Sequence, residues 1–288
     1  VIYALTRANV GSPSAPGQLI YSTDGGATWT TASITGIGVS AEPRYLDIAG
    51  DVLFVGTDAT TLLYTRLHAD TGAPGTWSTV TLPVAMRDVY VQSPSAIYFC
   101  ADSGRVYRTR DITTAPTLID SGATDNLLRI AGDGGSAIVA VGEAGRVYRS
   151  INDGVTWATI SAPANTSLNA VQVLGPKDIA VGGADGILYR TINGATWTTA
   201  YTTGGVIRDL VCATRECWWL SYYASSTARL VCSLDGGATF ARDDATSRIL
   251  NWPVFQRAGR LAAPTAADAA VAANYLTVCG LTSSGTDG

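Results

Sequence analysis

YSTDGGATWT, residues 21–30, decides how the rest of the chain is read, because it recurs. Residues 150–157 are SINDGVTW, residues 233–240 are SLDGGATF, and residues 191–197 are TINGATW, one position shorter. Each copy is a turn followed by an anchor. The side chain of Asp24, Asn152, Asn193 or Asp235 is placed to accept hydrogen bonds from N–H groups one to three residues on. The hydroxyl two residues before it adds another acceptor, and glycine supplies the positive φ that the reversal needs. Trp29, Trp157, Trp197 and Phe240 then fill the gap beside the turn; an aromatic of that size buries roughly 150–250 Å² and pins a hairpin to its neighbour without any ligand.

Working outward, the anchors Trp157, Trp197 and Phe240 are spaced by 40 and 43 residues, within the range of four-stranded propeller blades. The clearest unit runs through LNAVQVL, a turn at residues 175–178, IAVGG, a turn at 184–186, ILYRT, the recurring turn and TWTTAY. The preceding unit repeats it as LLRIAG, IVAVG, RVYRS and TWATI. Third strands align as QLIYS, RVYRT, RVYRS and ILYRT, with an apolar/polar alternation suited to half-buried strands. Two units lack the turn: the one from Tyr45 carries the insertion RLHADTGAPGTW, and the one from Met86 has only Thr109, Arg110 and Asp111.

This plan predicts an all-β single domain over residues 1–288, a β-propeller of four-stranded antiparallel blades, seven-bladed with six as the alternative. The N-terminal VIYALTR enters at a second strand, so a strand from the far end of the chain, ILNWPVFQ or YLTVCG, is expected to close the ring from both termini and remove exposed sheet edges. Residues 258–274 break the pattern as an irregular Ala-rich segment, and residues 282–288 read as a flexible end.

Composition narrows the function. A net charge of −4 and a single lysine, Lys177, give no broad basic footprint, so nucleic acid is not an expected partner. No apolar run reaches the length of a membrane span. Val1 is not an initiator Met and no signal-peptide pattern follows it, so the chain reads as processed or trimmed. Mean hydropathy of +0.18 with 15% charged residues suggests that a partner covers part of the outer surface, although alanine contributes much of that value. Cys212 and Cys217 flank a short polar turn, a spacing that can bring two Cβ atoms across a hairpin; a disulfide and an oxidising compartment are expected. Cys100, Cys232 and Cys279 read as small buried hydrophobes.

Catalytic chemistry is poorly provided for. His68, the sole histidine, lies in the insertion, so neither a metal site nor a histidine-assisted nucleophile is expected, and no cofactor is implied. More informative is a polar column in the first strands: Asp47, Asp88, Arg129, Asn169 and Asp209, with Asn251 a sixth candidate and Arg44, Arg87, Arg208 and Arg248 nearby. In a propeller these line the central channel, either as a self-neutralising set of salt bridges and waters or as a ligand site. WWLSYY places Trp218, Trp219, Tyr222 and Tyr223 on one strand; neighbours point to opposite faces, so the four divide between core and a second contact patch.

The recurring turn resembles the Asp-box, the S-x-D-x-G-x-x-W repeat of bacterial neuraminidases. With AVGxxG and YR[ST], the stretch from Val1 to about Asp244 resembles the photosystem II assembly and stability factor family of propellers and its bacterial relatives. That resemblance implies a turn on the rim, between third and fourth strands, and an arginine patch on one face for which Arg87, Arg129 and Arg208 are the matching candidates. Similar cysteine pairs also occur in some exported Asp-box propellers. The degenerate second and third units depart from the family's regularity, and nothing in the residues points to a photosystem. The Asp-box also invites a sialidase-like glycoside hydrolase or a carbohydrate-binding propeller. The Arg-Ile-Pro type motif of sialidases is absent, since residues 42–44 read Glu-Pro-Arg. The expected function is therefore a non-catalytic interaction propeller, an accessory subunit of a larger extracellular, envelope or virion-surface assembly, with other proteins as partners.

Overall fold

A computed structural model describes residues 1–5, 18–24, 27–36, 43–57, 60–114, 116–119, 122, 124–212, 214–224 and 227–242. Among these the only helical piece is a short 3-10 turn at Glu143–Gly145, and the strands form six antiparallel sheets. The first sheet holds β1 (Ile2–Leu5), β2 (Leu19–Ser22) and β3 (Thr30–Ala32). The second holds β4 (Pro43–Ala49), β5 (Val52–Thr57), β6 (Thr61–Leu67) and β7 (Pro74–Thr81), and the third β8 (Met86–Ser93), β9 (Ala96–Ala101), β10 (Val106–Thr109) and β11 (Thr117–Leu118). The fourth holds β12 (Leu127–Gly132), β13 (Ile138–Gly142), β14 (Val147–Ser150) and β15 (Ala158–Ile160). The fifth holds β16 (Leu168–Val173), β17 (Ile179–Gly183), β18 (Ile187–Thr191) and β19 (Thr198–Thr202). The sixth holds β20 (Val206–Cys212), β21 (Trp218–Ala224), β22 (Thr227–Ser233) and β23 (Ala241–Arg242).

Strands follow one another across every sheet in chain order, and the first strands β4, β8, β12, β16 and β20 pack in succession, each against the next. This is a β-propeller. Its second strands read VLFVGT, AIYFCA, IVAVG and IAVGG and are buried at every position, because each lies sandwiched between two neighbouring blades. Fourth strands such as β15 and β19 are threonine-rich and largely exposed. The glycine of AVGxxG has a steric reason: a Cβ on Gly142 or Gly183 would overlap the carbonyl oxygen of Asn126 or Ser167, where a bulge brings the first strand close.

Five apolar cores join consecutive blades. Leu19 and Tyr3 meet Leu46 and Leu53; Phe54 and Leu62 meet Val89 and Phe99; Tyr98 and Val106 meet Leu127 and Ile138. Val139 and Val147 then meet Leu168 and Ile179, and Ala170 and Leu188 meet Leu210 and Trp218. Each pairing is long-range in sequence, so truncating one member, such as Phe54→Ala, costs about 3–5 kcal/mol and separates two blades.

The count of six blades corrects the expected seven. The seventh rests on the segment after Arg248, with ILNWPVFQ and YLTVCG, forming a partial unit of its own, whereas a blade is marked by its third-to-fourth-strand connection, and among the described residues six are present, from β2/β3 to β22/β23. The N-terminal piece is itself one of the six, with three strands among the described residues. Closure by a C-terminal strand, the Ala-rich segment 258–274, the end at 282–288, Cys279, Arg248 and Asn251 lie outside the described residues, as does the side chain of Arg44.

The expected Cys212–Cys217 disulfide is also corrected: both residues are thiols. Cys212 stands opposite Trp218 in the β20–β21 register, so Cys217, which adjoins Trp218, is directed to the other face of the sheet. Cys212 packs in the core between the fifth and sixth blades, and Cys217 packs with Trp219 and Leu230 on the far face. Burial pushes the Cys217 thiol above its ordinary pKa. Cys100 is buried in the core between the third and fourth blades, and Cys232 is half-buried beside Cys217.

Candidate functional site

The recurring turn connects third to fourth strands in the first, fourth, fifth and sixth blades. Its leading hydroxyl, on Ser22, Ser150, Thr191 or Ser233, is 1% exposed and so belongs to the frame. In the sixth blade Ser233 Oγ donates to Asp235 Oδ1 (2.7 Å) and accepts from the Gly237 N–H (2.8 Å). Asp235 Oδ1 also accepts from the Thr239 N–H (2.8 Å), and Thr239 Oγ1 donates to Oδ2 (2.5 Å). The fourth blade repeats the Ser150, Asn152 and Thr156 N–H contacts but reverses the last bond, Asn152 Nδ2 donating to Thr156 Oγ1 (2.9 Å), and the first blade repeats the contacts among Ser22, Asp24 and Thr28. In these long copies the carboxylate or amide reaches four residues ahead, one further than the sequence suggests. Only the short copy keeps within three, with Asn193 Oδ1 accepting from Ala195 and Thr196.

Hydrogen bonds from Thr239 and Ser233 hold the Asp235 carboxyl down at about 2, and those from Thr28 and Ser22 depress Asp24 further. The third blade keeps a remnant, Asp111 capping the Thr113 N–H (2.9 Å). The second replaces the turn by a longer hairpin, with exposed His68 at its tip. The anchors reach the preceding blade: Trp197 Nε1 donates to the Ser161 carbonyl (2.7 Å), and the Phe240 and Tyr201 rings lie 4.5 Å apart.

The polar column does sit where successive first strands meet. Asp47, Asp88 and Asp209 are only 4%, 5% and 6% exposed, which makes them framework groups. Asp47 Oδ1 accepts from the adjacent Ile48 N–H (2.8 Å), and Oδ2 accepts from the Val91 N–H of the next blade (2.8 Å). Asp88 Oδ2 accepts from Ile130 of the blade after that (3.0 Å), and Asn169 Nδ2 donates to the Ile207 carbonyl (3.1 Å). Asp209 Oδ1 accepts from the Leu210 N–H (2.8 Å), repeating the Asp47 pattern. Burial opposes the charge of Arg129, but Asp88 and Asp209 more than offset it, so its guanidinium stays ionised. The column ties blade to blade at the centre.

Arg87, the second residue of β8, makes a two-pronged ion pair with Asp102 (2.6 and 2.8 Å) and remains 45% exposed. Arg208 is half-buried at the equivalent end of β20. Of the aromatic set, Trp218 and Tyr222 lie in the core between the fifth and sixth blades, Trp219 packs on the opposite face with Cys217, and Tyr223 is half-buried.

Sequence reasoning missed the role of the arginine in YR[ST]. Arg108, Arg149 and Arg190 each donate to a main-chain carbonyl of the following blade: Asp153 (2.9 Å), Pro176 (3.0 Å) and Gly236 (2.9 Å). Arg190 also pairs with Asp178 (2.9 and 3.0 Å) and stacks over Trp218, 4.9 Å from the ring centroid. Three consecutive units with arginine at one strand position were the available signal.

The class defined by this geometry is a six-bladed β-propeller with centre and rim laced by side-chain to main-chain bonds. No family model and no curated protein matches the chain. Among solved structures it is similar to "YCF48 bound to D1 peptide", at 18% identity and a TM-score of 0.62, over 80% of this chain and 75% of that one. YCF48 from Cyanidioschyzon merolae matches at 15% identity and a TM-score of 0.62, over 86% and 90%. The structure of U3-55K matches at 13% identity and a TM-score of 0.62, over 88% of each chain. At such identities the likeness is one of fold.

Proposed function

We propose that the protein is a non-catalytic interaction propeller that holds other proteins in a larger assembly, with Arg87 and Arg208 at the channel mouth, backed by Arg129, as contacts. The observation that carries this is the use made of the central carboxylates: Asp47, Asp88 and Asp209 are buried and accept main-chain N–H groups, so they serve the frame rather than a reacting sugar. A retaining or inverting glycosidase needs two carboxyls flanking an open substrate site. A rigid face with arginine anchors suits recognition, because arginine combines a fixed fork of donors with stacking area. The similar structures include a propeller bound to a peptide, which supports the same reading. Cys212 and Cys217, as free thiols, give no support for an exported location.

Native purification from the source material tests the proposal. Wild-type protein is expected to bring partner proteins with it, and an Arg87→Glu/Arg208→Glu variant of unchanged thermal stability to lose them. Recovery as a lone monomer that hydrolyses aryl glycosides, with turnover lost in Asp88→Asn, would overturn it.

A further inference from the structure

The large exposed hydrophobic side chains among the described residues are concentrated on one rim. Ile151 (57% exposed) and Val155 (72%) lie in the third-to-fourth-strand turn of the fourth blade, Ile192 (73%) in that of the fifth, and Leu234 (61%) in that of the sixth. The turn itself forces this exposure. In each copy the hydroxyl and the Asp or Asn on either side of the middle residue turn toward the main chain to cap it, so the residue between them is thrown outward. The first blade has Thr23 at this position. Folding therefore gains nothing from Ile, Ile and Leu at one turn position in three consecutive blades, and large apolar side chains exposed repeatedly along one edge mark contact with something else.

Charge narrows the occupant. At the seam between the fourth and fifth blades, Arg149 reaches the Pro176 carbonyl, next to Lys177, the only lysine of the chain. A methyl group on Gly194, in the fifth-blade turn, would collide with the Arg149 guanidinium and touch the Lys177 main chain, so the Arg149 cation and the backbone that carries the exposed Lys177 lie beside the turn that holds Ile192. Neither makes an ion pair among the described residues, in contrast to Arg190 and Arg215, which share Asp178 (2.9 and 3.5 Å). Carboxylates stand on the same rim, Asp153 within the fourth-blade turn and Asp235 beside Leu234 in the sixth. An anionic bilayer would meet repulsion there, whereas a chain with discrete carboxylates can match a local pair of cations.

We infer that this rim, built from third-to-fourth-strand turns and separate from the first-strand position of Arg87, is a second docking surface. It takes an acidic, apolar segment of a partner protein, whose apolar side chains rest on Ile151, Val155 and Ile192 and whose carboxylates meet Arg149 and Lys177. This rests on the interaction reading above and adds the partner's chemistry.

The test measures fluorescence anisotropy of three short labelled peptides with full-length protein: alternating leucine and glutamate, leucine and lysine, or serine and glutamate. Leucine–glutamate is expected to bind, the other two at least about tenfold more weakly. Ile151→Ser/Ile192→Ser and Lys177→Glu are each expected to weaken leucine–glutamate binding about tenfold, with unchanged circular dichroism and melting temperature. The inference is overturned by any of three results: equal binding of leucine–lysine, undiminished binding by these variants, or capture by phosphatidylserine vesicles without peptide binding. Loss of peptide binding in Arg87→Glu/Arg208→Glu, with the rim variants unaffected, would also overturn it. Partner copurification with channel-mouth variants reads the other surface, so failure here leaves that reading standing.

Discussion

Asp47→Ala puts the central ties to a quantitative test. Asp47 is 4% exposed, and its two oxygens accept from the Ile48 and Val91 N–H groups, both at 2.8 Å. The Val91 contact is buried and spans two blades, so removing the acceptor leaves a main-chain donor with neither protein nor bulk water. A buried donor left unsatisfied costs about 1–3 kcal/mol, and the part-buried Ile48 group adds about 1, so the loss should be roughly 2–4 kcal/mol. Asp47→Asn keeps one oxygen for one of the two N–H groups and turns an amide donor toward the other, so about half that loss is expected. Urea unfolding followed by tryptophan fluorescence measures it, and the midpoint should fall without a change in slope. Thr159→Ala on exposed β15 is the reference and should stay within about 0.5 kcal/mol of wild type. If Asp47→Ala is also within that range, the column does not hold the blades together.

Arg190→Ala removes a half-buried ion pair, a tie to the sixth blade and a cation–π contact, so a loss of roughly 1–3 kcal/mol by the same unfolding assay is expected. Alkylation of unfolded protein without reductant should label both Cys212 and Cys217; a peptide linking the two would contradict the hairpin register. The Asp235 carboxyl should titrate at about 2 by carbon NMR, and Thr239→Val should bring it back toward the ordinary value. Because that folded-state pKa is depressed, the contribution is present above the unfolded value of about 4 and is lost as pH falls toward about 2. An acid unfolding curve identical in Asp235→Asn would argue against it.

The blades were legible in the sequence because two signals agree on them: turn chemistry in residues 150–157, 191–197 and 233–240, and continuous apolar runs such as IVAVG and IAVGG. The blade total was not, since apolar runs such as ILNWPVFQ and YLTVCG read equally as a strand that completes the first blade or as a unit of their own. The cysteine pairing failed on one residue of register: a spacing that suits a hairpin says nothing about which two residues stand opposite, and Cys212 faces Trp218. The polar column was legible as one recurring position in successive first strands, but its use, as acceptors for Val91 and Ile130, depends on main-chain groups that carry no sequence signature. The arginines of YR[ST] were hidden for the same reason, because their partners are carbonyl oxygens.

These ties also separate what the fold requires from what it leaves open. Ser150, Asn152 and Thr156 are committed to each other, and Arg149 is fixed by the next blade, so substitution at any of them is paid for in stability. Position 151 between them has no such duty: the same turn forms with Thr23 in the first blade and Leu234 in the sixth. The channel mouth shows a parallel division, with Asp88 inside the frame and Arg87, one residue earlier, half-exposed and directed to Asp102. Alternation along a strand or through a capped turn thus sets a framework residue beside an exposed one in the third, fourth, fifth and sixth blades. Partner chemistry can then change at positions 87, 151, 192 and 234 while the six sheets keep their spacing, and this predicts that swapping Ile192 for Thr alters binding without moving the melting temperature.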